Sequence, residues 1–138
     1  MNPKYRVESI PDHPRCFLIT YQSGINGDDV LASMQEMVAL AEGLPRPIYQ
    51  IGDWRAVEGS FAMVVNITRK FPAMRQLNES AGVVGPLIIN QITNPWLRLS
   101  RDFASKLPLG DLAVFESLED ALAYIAMKEK REAVSSTP

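Results

Sequence analysis

Cysteine and histidine are almost missing from this chain of 138 residues: Cys16 and His13 are the single examples of each. One cysteine cannot close an intramolecular disulfide, and one cysteine with one histidine cannot build a structural zinc site. Cys16 lies in the apolar run CFLITY, so a buried, inert thiol is expected. His13 is bracketed by prolines in PDHPR and is expected in a surface turn, not in a catalytic triad. Long hydrophobic runs are missing as well. No stretch approaches the roughly 20 apolar residues of a membrane-spanning helix, and the first residues lack the apolar centre of a signal peptide. A cytoplasmic protein with no transmembrane segment is the expectation. Charge of one sign is also scarce. The formal net charge is −2, with no basic stripe of the kind nucleic-acid binders carry, so nucleic acid is not an expected partner. The KEKREA stretch near the end mixes both signs, like a solvated helix end. Finally, no glycine-rich dinucleotide or phosphate loop and no nucleophile elbow occurs. No cofactor and no metal are expected, and the chain is not expected to be an enzyme.

What is present is an ordinary globular composition, 46% hydrophobic, which suits one α/β domain over residues 1–138 with an ordered core of 4–128 and a tail of 129–138. Tyr5 to Ile10 and Arg15 to Tyr21 read as strands around a Pro11–Pro14 turn, close enough to pair antiparallel. A helix follows from Asp28 to Glu42, with Asp28 and Asp29 in its first turn as dipole-facing acids and not as metal ligands. Ile48 to Ile51 is a third strand. A second helix runs from Ser60 to about Arg69, where Pro72 kinks or ends it. Gly82 to Asn90 is a fourth strand in which Pro86 requires a bulge or a late start. A third helix runs from Pro95 to Lys106 behind an Asn94 cap, closed by LPLG, and Leu112 to Phe115 is a fifth strand. A fourth helix opens at SLED with Ser117 as its cap, and SSTP is expected to fray. The alternation implies a mostly parallel, five-stranded sheet with about four helices and an antiparallel first strand.

Ligands of open parallel sheets tend to bind beyond the carboxyl ends of the strands. Ser23, Asp53, Trp54, Arg55, Asn90, Asn94, Trp96 and Ser117 gather there by topology, and Asp53, Trp54, Arg55, Asn94 and Trp96 are the candidate ligand or partner surface. Ser60 is either the cap of the second helix or a phosphate acceptor at its positive end. The second helix, FAMVVNI, is apolar nearly all round, so both of its sides must be covered. The second cover is the 72–80 segment, a second subunit or a lipid-like ligand. Met63, Ile67 and Met74 form the face offered to it, and methionines suit an adaptable surface. An enzyme using Asp53 between Trp54 and Trp96 is a further alternative.

Three stretches, IYQIGDWRAVEGSF, VVGPLIINQITNPWLRL and LAVFESLEDALAYI, together resemble the STAS-like proteins, and among them the SpoIIAA-like group of small bacterial domains. The resemblance spans about Tyr5 to Met127. It implies the fold above and a regulatory, non-catalytic module: a protein-interaction domain, expected as a homodimer through the second helix. In the anti-sigma factor antagonists of that superfamily an Asp-Ser motif after the third strand is phosphorylated. Ser60 is the matching serine, but Glu58 and Gly59 precede it here, while Asp53 matches the acid that ends the third strand. The group is also similar in topology to CRAL-TRIO lipid-transfer domains, which implies the alternative of a small apolar-ligand or lipid binder.

Overall fold

The computed structural model describes residues 4–106 and 112–135. Its chain order is β1 (Tyr5–Ile10), β2 (His13–Tyr21), α1 (Gly27–Leu40), β3 (Ile48–Asp53), α2 (Phe61–Thr68), α3 (Phe71–Ala81), β4 (Val83–Ile89), α4 (Pro95–Lys106), β5 (Ala113–Phe115) and α5 (Leu118–Ser135). The strands form one sheet in the order β1-β2-β3-β4-β5, with β1 antiparallel to β2 and every other pairing parallel. Because the order never reverses, right-handed crossovers put all the connecting helices on one face. That face holds the larger core, where Phe17, Ile19, Ile48 and Ile88 of the sheet meet Met34, Met37, Phe71 and Leu97 of the helices. On the other face Cys16, Tyr49, Ile51 and Leu87 pack against Ala121 and Ile125 of α5. Arg15 forms an ion pair with Glu129 that ties β2 to α5. Burial holds the Cys16 thiol up at about 11, Glu129 adds to the rise and Arg15 opposes it, so the thiol is protonated as well as covered.

Four expectations need correction. First, β2 starts at His13, not Arg15; Ile10 pairs with His13 and the turn shrinks to Pro11 and Asp12. Second, there are five helices among the described residues. Pro72 does not end a helix but lies in the first turn of α3, where its missing N–H has no intrahelical partner to lose. Third, Gly82 is not strand but the left-handed cap of α3, at φ 68°. Fourth, α5 continues to Ser135, past residue 128. The bulge expected at Pro86 is present: Tyr49 pairs with Val84 and Ile51 with Leu87, so Gly85 and Pro86 together face Gln50. A Cβ on Gly85 would lie 2.8 Å from the Gln50 carbonyl oxygen, so only glycine lets the bulge approach β3 this closely. The LPLG closure lies outside the described residues, as does SSTP after Ser135.

The caps follow the sequence signals. Asn26 and Asp29 form a reciprocal capping box on α1, Asn94 accepts from the Trp96 and Leu97 N–H groups, and Ser117 accepts from Asp120. Asp28 in the first turn of α1 pairs with Lys70, the residue that precedes α3. Among the described residues, no helix is long and apolar enough to cross a membrane.

Candidate functional site

Strand alternation sorts the residues of β3. Ile48, Gln50 and Gly52 face the connecting helices, while Tyr49 and Ile51 face α5. Trp54 follows β3, anchored by its N–H donating to the Ile89 carbonyl at 3.0 Å. Its indole stacks on the Tyr21 ring, with centroids 4.2 Å apart and planes 26° from parallel. Ser23 fastens the loop beyond it, donating to the Ala56 carbonyl and accepting from the Glu58 N–H. The loop then reaches Gly59, where a side chain would collide with Trp96: an added Cβ would sit 2.1 Å from its Cδ1. Trp96 is thus seated on bare backbone, in the first turn of α4 that Asn94 caps.

Between these tryptophans, α2, α3 and the sheet lies a cavity of about 90 Å³. Met63, Ile67, Met74, Trp54, Trp96 and Asn94 all contribute to its wall. Three sequence segments chosen for separate reasons therefore converge on one space. Asn90 lines it too, with its side-chain oxygen held by the Gln91 N–H at 2.8 Å. The wall is otherwise mostly apolar, and no lysine, arginine or histidine lies in it among the described residues.

Other candidates fall elsewhere. Asp53 is not in the cavity wall. Its Oδ1 accepts from the Arg55 backbone N–H and Nε, both at 3.0 Å, and its Oδ2 accepts from Nη2 at 2.8 Å. Asp53 and Arg55 thus tie the turn after β3, and the carboxylate is engaged there and not in the space between the tryptophans. Burial alone would raise the Asp53 carboxyl, but the Arg55 side-chain hydrogen bond, its backbone N–H and its charge outweigh that and hold it below the ordinary 3.8. A carboxyl lowered in the fold stabilises above its unfolded pKa and loses that contribution as pH falls through the folded value. Asp53→Asn is therefore expected to lower the melting temperature at neutral pH, with the gap to wild type closing below about pH 4 in thermal melts. A gap that persists unchanged in acid would contradict the pairing.

Ser60 is the cap of α2, accepting from the Met63 N–H at 3.1 Å. The helix-two surface also needs correction. Ile67 and Met74 are buried in the chain's own core, Met63 is half-buried, and Met74 belongs to α3, not to α2. These residues face the cavity; they are not a face offered to a second chain. The elements that cover α2 are α4 and α1.

Sequence reasoning passed over Gln50, Tyr21 and Gly59. Gln50 carried a signal, being the lone amide in a strand apolar on both sides. Gly59 carried none, because a close approach depends on which residue arrives from 37 positions further on.

No family model matches the chain, and neither does any curated protein. A solved structure does. It is an uncharacterized protein of the DUF3478 family with a SpoIIAA-like fold, from Shewanella loihica PV-4. It superposes with a TM-score of 0.54 at 16% identity, over 87% of this chain and 90% of that one. The fold is SpoIIAA-like, as the resemblance of the three sequence stretches implies.

Proposed function

We propose that the protein is a non-catalytic binding module that takes a small, mostly apolar molecule into the cavity between α2, α3, α4 and the sheet. The observation that supports this reading is the convergence of Trp54, Trp96, Met63 and Met74 on one apolar space of about 90 Å³. Cores normally close such gaps, because unfilled space forfeits dispersion contacts. Here Gly59 seats Trp96 against the backbone, and the Asn94 cap and the Ser23 clamp fix the segments that carry the two tryptophans. Methionine side chains adapt to an occupant without backbone movement, and the tryptophans supply large flat walls.

A native mass spectrum of freshly purified protein tests this, together with Ser100→Leu. Ser100 lies on the inner side of α4 between Leu97 and Ala104 and lines the cavity, so leucine there fills it. The expected result is a mass increment lost on denaturation from the wild type and absent from a folded Ser100→Leu variant. An increment that survives in the variant would place the ligand elsewhere.

Phe61 favours a second reading. It opens α2 and is 60% exposed, and Ile92, at the same end of the sheet, is 57% exposed. Large exposed apolar side chains suit a protein-interaction or homodimeric regulatory module. Bare dimers in the same spectrum, dissociated by Phe61→Asp, would support it.

A further inference from the structure

One polar side chain in the cavity wall has an atom that the fold leaves unused. Gln50 is only 2% exposed, lines the cavity, and its Oε1 accepts no hydrogen bond. Buried acceptors without partners are rare in native proteins, and each one invites a reason. The other orphaned side-chain atoms among the described residues, Tyr49 Oη and Asn78 Oδ1, belong to residues outside the cavity wall.

The orientation of the Gln50 amide follows from a chain of donors. Ser33 Oγ spends its one hydrogen on the Val30 carbonyl, at 2.6 Å. The contact between Tyr21 Oη and Ser33 Oγ, at 3.1 Å, must then be donated by tyrosine. The Tyr21 oxygen is left as an acceptor, and Gln50, which lines the same cavity, can serve it only through its N–H₂ group. With the nitrogen turned to Tyr21, the carbonyl oxygen is the atom left without a partner. The bulge of Gly85 and Pro86 on the neighbouring strand lies opposite this same residue. An unpartnered acceptor thus stands in a mostly apolar wall that carries no cationic side chain among the described residues.

We infer that the occupant is a neutral molecule with an apolar body and one hydrogen-bond donor, an alcohol, a phenol or an N–H heteroaromatic, whose donor seats on Gln50 Oε1. This rests on the cavity reading above and deepens it. Molecules that only accept, such as ethers, meet the carbonyl lone pairs without gain. Anions meet an acceptor and no positive charge.

Toluene, phenol and anisole share a body and differ in the polar group, so they isolate the donor. The only tryptophans of the chain are Trp54 and Trp96, both in the wall, so their indole N–H signals in NMR titrations report this cavity. Toluene and phenol differ in hydrophobicity, so the quantity to read is their affinity ratio compared between proteins. The preference for phenol over toluene is expected to fall about tenfold on Gln50→Leu, with anisole following toluene in both proteins. Gln50→Met, straighter in shape, should repeat the result if leucine perturbs the wall. Tyr21→Phe frees the amide to turn and should abolish the advantage of phenol over anisole. If all three compounds bind and the ratio is the same in wild type and both Gln50 variants, Gln50 reads no donor, and the donor inference fails while the cavity reading stands. If no compound moves either indole signal, both fail.

Discussion

Ile67→Asp is expected to destabilise the protein severely, moving its urea midpoint far below that of the wild type. Ile67 is 8% exposed and belongs to the larger core with Phe71, Met74 and Leu97. An aspartate there loses the apolar contacts and buries a carboxylate with no cation in the surrounding wall. A cost of about 3–5 kcal/mol follows, which takes much of the roughly 5–15 kcal/mol that holds a domain together. Phe61→Asp on the same helix is the contrast. At 60% exposure its substitution should shift stability by no more than about 0.5 kcal/mol. Urea titrations followed by circular dichroism compare the two directly. The pair separates two accounts of α2: a contact surface would tolerate the charge at Ile67 as a folded monomer, whereas a core helix cannot. A variant that unfolds at the wild-type urea midpoint would return Ile67 to the surface role that its sequence pattern first suggests.

That pattern misleads for a physical reason. A helix apolar on both sides announces that it is covered twice, but not by what. The covers are α1 and α4, which the chain brings from far away in sequence; α3, directly after α2, was hidden behind Pro72, whose usual meaning inside a helix is a break. In the first turn the same residue is compatible with a start. The legible signals were Phe71, Met74 and Asn78, which share one buried face, and Gly82, which stops the helix in the left-handed conformation. Local chemistry was easier to read: the caps at Ser60, Asn94 and Ser117, the bulge at Pro86 and the antiparallel first strand all follow from neighbours in the chain. Strand order was not written locally. Without it, Asp53 and Gln50 could be assigned to opposite faces by period two, but not to the face that carries the cavity. The rule that ligands sit beyond the carboxyl ends of the strands therefore drew Asp53 into the site, although the crevice behind that rule forms where strand order reverses and this sheet never reverses. The cavity lies instead beneath the helices, and the strand-end residues that line it, Trp54, Asn94 and Trp96, reach it from the loop that leads into α2 and from the start of α4.

Gly59→Ala should expose how the cavity wall is positioned. The added methyl would lie 2.1 Å from Trp96 Cδ1, 2.3 Å from Cγ and 2.8 Å from Cβ. Turning the indole cannot clear a clash that includes Cβ, so either the loop before α2 or the first turn of α4 must move. Both are tethered, the loop through Ser23 to the Glu58 N–H and the helix through Asn94 to the Trp96 N–H. Overpacking of this kind costs about 1–3 kcal/mol, and a loss near 2 kcal/mol lowers the melting temperature of a chain this size by roughly 8 °C. Tryptophan emission should shift to the red at the same time, as Trp96 leaves its seat. The coupling is tested by a double-mutant cycle with Trp96→Ala. If Trp96 is the obstacle, Gly59→Ala in that background should cost no more than about 0.5 kcal/mol. An undiminished cost there would mean that glycine serves the loop's own conformation. The distinction matters for the cavity, because a glycine that seats Trp96 fixes the position of a wall, and a wall fixed by backbone contact keeps its shape before any occupant arrives.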